Sequence, residues 1–276
     1  MEYKTYNAKT LMCETFSRIE IESKNPKGIS GYSTDFFCID SFTGGFRPGQ
    51  LITIGSYEFS RKAFPFCLLH NFILKNQIPC ALFTFEEKPE NVGIRLLSLS
   101  TGIPYRRLRL GMFTGDKLKK VDEAAQILAG SHLITVECAL MDFEQLCNSI
   151  RKQCALNELK VIFINTLNFI PLDKEAGSKH ERILSVLQKL RKLAIELDVC
   201  IIIPFYIDDS EKEKSLEKKI HFLQILSDVT MILKRTNLIQ KDSPEKSYNL
   251  SIITELSRCE LEMLMNISTL SFRENN

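Results

Sequence analysis

The sequence has no surplus of charge of either sign. Its 276 residues carry 36 Lys and Arg against 34 Asp and Glu, a net of +2. That excludes a polybasic tail, though not nucleic-acid binding, which needs only a local basic stripe. Histidine is scarce, at four residues, and no two of the nine cysteines are spaced Cys-x-x-Cys. Zinc therefore has no ligand pattern, and no metal site is expected. Long apolar runs are missing too. The longest, Val199 to Ile207, is too short to span a bilayer. The opening MEYKTYNAKT is polar and predicts no signal peptide. There are no repeats and no low-complexity segment. These absences predict a soluble, cytoplasmic, reducing setting with no membrane partner.

Hydrophobic residues make up 44% and charged residues 25%. This is globular composition, excluding a disordered or collagenous chain. The length fits one large α/β domain or two small ones. Cysteines in settings such as Pro79-Cys80-Ala81 and Val199-Cys200-Ile201 read as small buried hydrophobes.

Residues 9 to 22 read as an amphipathic helix, with Leu11, Met12, Phe16 and Ile19 at helical spacing. The polar stretch Glu22 to Lys27 reads as a linker, ending at Gly28. Short apolar strands are expected at Leu51–Ile54, Pro79–Phe85, Val161–Ile164 and Val199–Ile203, and later at Met231–Leu233, Asn249–Thr254 and Leu264–Ile267. They lack alternation, as strands buried on both faces do. Helices fit near Lys62, at Glu86–Leu99, Lys119–Leu128 and Asp142–Leu156, and through Ile183, Leu187, Leu190, Ala194 and Leu197. Strands alternating with helices predict a doubly wound, mostly parallel sheet with antiparallel C-terminal strands.

Three stretches go beyond a generic α/β pattern. The first runs Gly28-Ile29-Ser30-Gly31-Tyr32-Ser33-Thr34, then Ile39-Asp40 and Thr43-Gly44-Gly45-Phe46. The second is Leu82-Phe83-Thr84-Phe85-Glu86, and the third Arg191-Lys192-Leu193-Ala194-Ile195-Glu196-Leu197-Asp198-Val199. In order and spacing they resemble the "GITG…T", "LD", "TGGF", "FSLE" and "LKxLAxELNV" series of DnaB-type replicative helicases. The resemblance runs from about residue 9 to about residue 267. It implies the fold of that family's C-terminal motor, a RecA-like P-loop NTPase domain. It divides the chain into a linker-type helix and linker, 1–27, and a motor-type domain, 28–276. On this reading no counterpart of the family's separate N-terminal helical domain is expected in these residues. RecA-like recombinases and circadian-clock-type ATPases share the fold.

The resemblance implies an ATP site with Mg²⁺ at Ser56, Arg61, Lys62, Ala63, Glu86, Asn165 and Tyr206, but most of these residues depart from the family's pattern. A phosphate loop, GxxxxGK[ST], needs glycines for its backbone, a Lys for the phosphates and a hydroxyl for Mg²⁺. The matching segment is Ser56-Tyr57-Glu58-Phe59-Ser60-Arg61-Lys62-Ala63, where only Lys62 fits. Arg61 would crowd the phosphate, and would be strained if its position needs φ > 0. Ala63 cannot ligate Mg²⁺. Pro65 is expected in the first helical turn, where it is tolerated. Lys62 reads either as a solvated helix-start lysine or as a remaining phosphate contact. Asn165 replaces the Asp that anchors the Mg²⁺ shell. Tyr206 stands where the family has a Gln that senses the γ-phosphate. Glu86 matches the Glu that polarises the attacking water, but reads better as a carboxylate favoured by a helix start. Glu255 and Ser257 occupy the positions of a "KxR" finger pair expected on a late strand, with Arg258 on the opposite face.

The resemblance further implies DNA-facing basic loops. Candidates are Lys174, Lys179 and Arg182 in one, and Lys212, Lys214, Lys218 and Lys219 in another. The second also holds Asp208, Asp209, Glu211, Glu213 and Glu217, so a solvated loop is the simpler reading. The family's linker helix packs on an adjacent subunit, and docking of residues 9–22 on another subunit is favoured over folding back. The leading expectation is a DnaB-like homologue in DNA replication that has lost ATP hydrolysis. It would act as regulator or ring partner of a helicase, as a homo- or hetero-oligomer, with single-stranded DNA a further candidate partner. The alternatives are an active ATP-dependent helicase with an altered site, and a protein-binding recombination or signalling relative.

Overall fold

The computed structural model describes residues 5–24, 28–57, 60–170, 179–207, 213–236, 245–255, 257–266 and 268–275, without the side chains of 60, 61, 179, 180 and 213–219. Helix α1 spans Ala8–Ser23, and α2 (Phe37–Thr43) precedes strand β1 (Leu51–Tyr57). Helix α3 (Ser60–His70) continues into a π-helical turn, Asn71–Lys75, and leads to β2 (Cys80–Thr84). Then come α4 (Pro89–Thr101), α5 (Tyr105–Arg109), α6 (Gly115–Ala129), β3 (Leu133–Glu137), α7 (Phe143–Asn157) and β4 (Val161–Asn165). A 3-10 turn, Leu167–Phe169, precedes α8 (Lys179–Leu197), β5 (Cys200–Ile207), α9 (Glu213–Leu226) and β6 (Val229–Arg235). Strands β7 (Glu245–Thr254), β8 (Arg258–Asn266) and β9 (Ser271–Glu274) finish the chain.

Among the described residues, nine strands join one sheet in the order β3-β2-β4-β5-β1-β6-β7-β8-β9. The run from β3 to β6 is parallel. Strands β7, β8 and β9 add antiparallel. This is the doubly wound, mostly parallel sheet expected. Register explains the unalternated strands. Ile52, Leu82, Phe163 and Ile202 face a core shared with α3 and α4. Leu51, Phe83, Ile162 and Ile201 face a second core, shared with α7 and α8. Both faces are covered, so apolar residues are stable at either parity. Each fully buried Phe or Ile contributes about 1.5–3 kcal/mol.

The motifs ahead of β1 are architectural. Asp40 is buried and accepts from Ser33 Oγ at 2.6 Å, Thr34 N at 2.8 Å and Thr34 Oγ1 at 2.8 Å. Tyr32 and Phe46 exchange backbone hydrogen bonds of 2.6 and 2.9 Å. A Cβ on Gly31 would fall 2.5 Å from Phe46 O, so only glycine lets these segments touch.

The structure corrects several expectations. Helix α4 starts at Pro89, so Glu86 and Glu87 precede it and Glu86 is not at a helix start. Helix α3 starts at Ser60, which puts Pro65 in its second turn, and Arg61 is helical and needs no positive φ. Lys179 and Arg182 lie in α8 and Lys214, Lys218 and Lys219 in α9, so these are helical positions rather than loop ones. Lys174 and Lys212 lie outside the described residues. Glu255 and Ser257 sit in the β7–β8 turn, closed by Thr254 N donating to Ser257 O at 2.9 Å, and not on a strand. By contrast, helix α1 has no buried residue and Phe16 is 68% exposed, which agrees with the expectation that it does not fold back on its own domain. Strands β3 and β9 and helices α2 and α5 are additions to the expected elements. The cysteines divide more evenly than expected: all nine are free thiols, with Cys67, Cys80, Cys138 and Cys200 buried.

Candidate nucleotide site

The C-terminal ends of parallel strands are where α/β sheets bind ligands. Here they bring together Ser56 of β1, Thr84 of β2 and Asn165 of β4. Thr84 is in register with Asn165, and Ser56 with Tyr206 of β5. Side-chain parity puts Ser56, Thr84 and Asn165 on the sheet face covered by α3 and α4. Ser56 Oγ and Asn165 Nδ2 are buried and have no hydrogen-bond partner among the described residues. Two orphaned polar atoms at one sheet edge are uncommon in a native core.

Helix α3 delivers Lys62 to the same edge, and its ammonium does not stand free. Lys62 Nζ lies 2.9 Å from Glu87 Oε1 and 3.2 Å from Glu86 Oε2. Arg95, two turns into α4, binds Glu87 in a bidentate pair through one edge of its guanidinium: NH2 donates to Oε1 at 2.8 Å and Nε to Oε2 at 3.0 Å. Thr84 fixes the Glu87 backbone, its Oγ1 accepting from Glu87 N and donating to Glu87 O, each at 3.1 Å. Arg95 is held between the Phe66 ring, at 5.4 Å, and the Tyr105 ring, at 4.9 Å. The side chains are 6% exposed at Glu87, 11% at Glu86, 13% at Arg95 and 19% at Lys62. Two cations and two carboxylates therefore neutralise each other in a nearly closed space. Burial raises the Glu87 pKa, but Arg95 and then Lys62 outweigh it, leaving the carboxyl below its ordinary range.

The other expected positions are placed as follows. Ala63 is buried in the core and offers no oxygen. Arg61 is on α3, its side chain outside the described part. Tyr206 is half-buried, its backbone clamped by Asn168, which accepts from Tyr206 N at 2.7 Å and donates to Tyr206 O at 3.4 Å. Glu255 and Ser257 line a separate cavity of about 570 Å³, with Arg47, Arg191 and Asp228. Arg258 pairs with Glu260 at 2.9 Å. Sequence reasoning gave Glu87 no role in the site and missed Arg95 and Asn168. The Glu87–Arg95 separation of eight residues carries no helical signal, because Glu87 lies outside α4.

Among the described residues, no helix is long and apolar enough to cross a membrane. The family profile described as DnaB-like helicase C terminal domain matches residues 31–254. The replicative DNA helicase DnaB of Treponema pallidum is 26% identical over 195 residues, covering 70% of this chain and 44% of that protein. That of Helicobacter pylori strain 26695 is 27% identical over 214 residues, covering 76% and 42%. The match thus spans less than half the length of those relatives. A separately solved ATPase domain superposes with a TM-score of 0.86 at 17% identity, covering 99% of this chain and all of that one. A DnaB-like replicative helicase solved for its interactions with primase gives 0.82 at 16% identity, covering 99% and 68%. These likenesses establish the RecA-like fold, and the profile match places the chain in the family of DnaB-like helicase C-terminal domains.

Proposed function

We propose that this chain is a DnaB-type motor homologue, acting in DNA replication, that has given up ATP hydrolysis and serves as regulator or ring partner of a helicase. One observation carries the reading. Lys62, the phosphate-loop residue that persists, is held by Glu86 and Glu87 at 3.2 and 2.9 Å, where phosphate oxygens would need it. A triphosphate entering there would meet two carboxylates and have to displace a buried pair. The donor set also does not suit Mg²⁺, a hard cation that prefers charged oxygen ligands. Ala63 supplies no oxygen, and Asn165 a neutral amide, at the two positions the family uses for it. Helix α1, with its apolar side chains in solvent, supports assembly with another subunit through residues 9–22.

The second reading, an active helicase with an altered site, is favoured by Glu86 standing beside Lys62. Calorimetry with Mg-ATP, and phosphate release in the presence of single-stranded DNA, separate the two. The first expects no micromolar binding and no turnover. It expects both to improve when Arg61→Gly, Ala63→Thr and Asn165→Asp are combined. Steady turnover by the unaltered chain would sink it.

A further inference from the structure

The C-terminal end of α3, about 12 Å along the helix from Lys62, opens on a cleft that takes no part in the nucleotide site. The cleft has a volume of about 470 Å³, which is in the range of small-molecule sites. Phe36, Leu99 and Phe272 supply its apolar wall. Both rings pack on Phe64, at centroid distances of 5.6 and 5.5 Å, so they are fixed in place.

The backbone around the cleft departs from regular form twice. Helix α3 runs on into the π-helical turn Asn71–Lys75, where Asn76 N donates to Asn71 O at 3.1 Å. Asp35 has a left-handed φ of +60°, which residues other than glycine seldom adopt. The two departures meet, because Lys75 pairs with Asp35 at the rim. Both features are found disproportionately at functional sites.

The charges facing the cleft do not cancel. On β9, Phe272 and Glu274 share the face turned towards α3. Arg273 alternates to the other face, and Glu245 engages its guanidinium through Nε at 3.2 Å and NH2 at 2.8 Å. Lys75 is neutralised by Asp35. Burial, and then the Lys75 charge, lower the His70 pKa to about 4, so its ring is neutral at physiological pH. Glu274 is left over. Its Oε1 accepts from Cys38 N at 2.6 Å, but among the described residues no cation pairs with it. The cleft therefore presents one uncompensated carboxylate beside two aromatic rings.

We infer that this cleft is a binding site for a small organic cation, an ammonium carried on an aromatic or aliphatic body. Glu274 takes the ammonium in a charge-assisted hydrogen bond. Aromatic rings attract a cation over their faces, and the apolar wall removes the body of the ligand from water. An organic anion would meet Glu274 and find no unpaired cation. Nothing in this assignment depends on whether the nucleotide site is active.

The test is calorimetry at about pH 7.5 with two probes: phenethylamine, protonated there as alkylamines are, and hydrocinnamate, which has a similar body and the opposite charge. The amine should bind with a Kd of about 1 mM or tighter. The acid should bind at least about tenfold more weakly. Glu274→Gln keeps an oxygen for Cys38 N and removes the charge, and it should weaken the amine at least about tenfold. Glu123→Gln, which alters an exposed carboxylate on α6, should change nothing. The amine should also shift the imidazole resonances of His70, identified by their loss in His70→Gln. The assignment is overturned if the amine does not bind, if the acid binds as well as the amine, or if Glu274→Gln binds the amine unchanged. It is also overturned if the amine binds while the His70 resonances stay in place. Should Glu274→Gln fail to fold, the two probes and the His70 resonances of the unaltered chain still decide it.

Discussion

Glu87 and Lys62 come from opposite sides of β2 in sequence and meet as an ion pair of 2.9 Å, with the same Glu87 oxygen accepting from Arg95 at 2.8 Å. One carboxylate thus serves two cations in a space closed to most solvent. Removing one partner of such a pair leaves charge uncompensated, which is more damaging than never having had the pair. Glu87→Ala should lower stability by about 3–5 kcal/mol, read as a drop in the urea midpoint at unchanged slope. An unchanged midpoint would mean that the network contributes nothing to the fold.

His70 predicts a dependence on pH. Burial, and then the nearby Lys75 charge, lower its pKa from 6.5 to about 4. Its Nε2 lies 2.9 Å from Ser100 Oγ. The unfolded chain takes up a proton below pH 6.5 that the native state refuses until about pH 4, so stability falls across that window. At about pH 5 the loss is about 2 kcal/mol. Glu87 acts in the same direction at lower pH, because a depressed carboxyl pKa gives stability that is lost on protonation. Urea midpoints at about pH 7 and about pH 5 measure the effect, and His70→Gln should flatten the difference.

Neither of these groups was legible in the sequence, although the elements carrying them were. Cys80–Thr84 reads as a strand from its apolar run, and a helix after it from spacing. That Glu87 should reach Lys62 depends on how α3 and α4 lie on one sheet face, which local pattern does not encode. The helix boundary at Pro89 is obscured because Glu86 and Glu87 themselves favour helical starts.

Two glycines should behave oppositely. Gly31→Ala would place a methyl 2.5 Å from Phe46 O and 2.6 Å from Gly45 C, backbone that cannot yield. It should lower stability by about 1–3 kcal/mol. Gly93, inside α4, has only open space within 4 Å of where an added Cβ would sit. Gly93→Ala should raise stability by about 0.5–1 kcal/mol. Thermal melts of both variants check the pair, and equal shifts would contradict the close approach at Gly31.

Phe16→Asp tests helix α1. The side chain is exposed, so the melting temperature of the domain should stay within a degree or two. If residues 9–22 dock on another subunit, sedimentation should show weaker self-association or weaker capture of a helicase. A lowered melting temperature with unchanged association would instead assign the helix to its own domain.

By itself the sequence determined the alternation of strands and helices, the linker-like helix and the family, because these depend on local periodicity and on motifs along the chain. It also determined that residues 61, 63 and 165 are Arg, Ala and Asn, whatever the fold does with them. Tertiary structure alone decided that Lys62 is captured, that Ser56 and Asn165 end without partners among the described residues, and that Asp40 and Gly31 are architectural. The reason is physical: an ion pair or a close backbone approach acts through space over a few ångströms. Lys62 and Glu87 stand 25 residues apart in sequence, and they come that close only because strand register and helix packing bring them there.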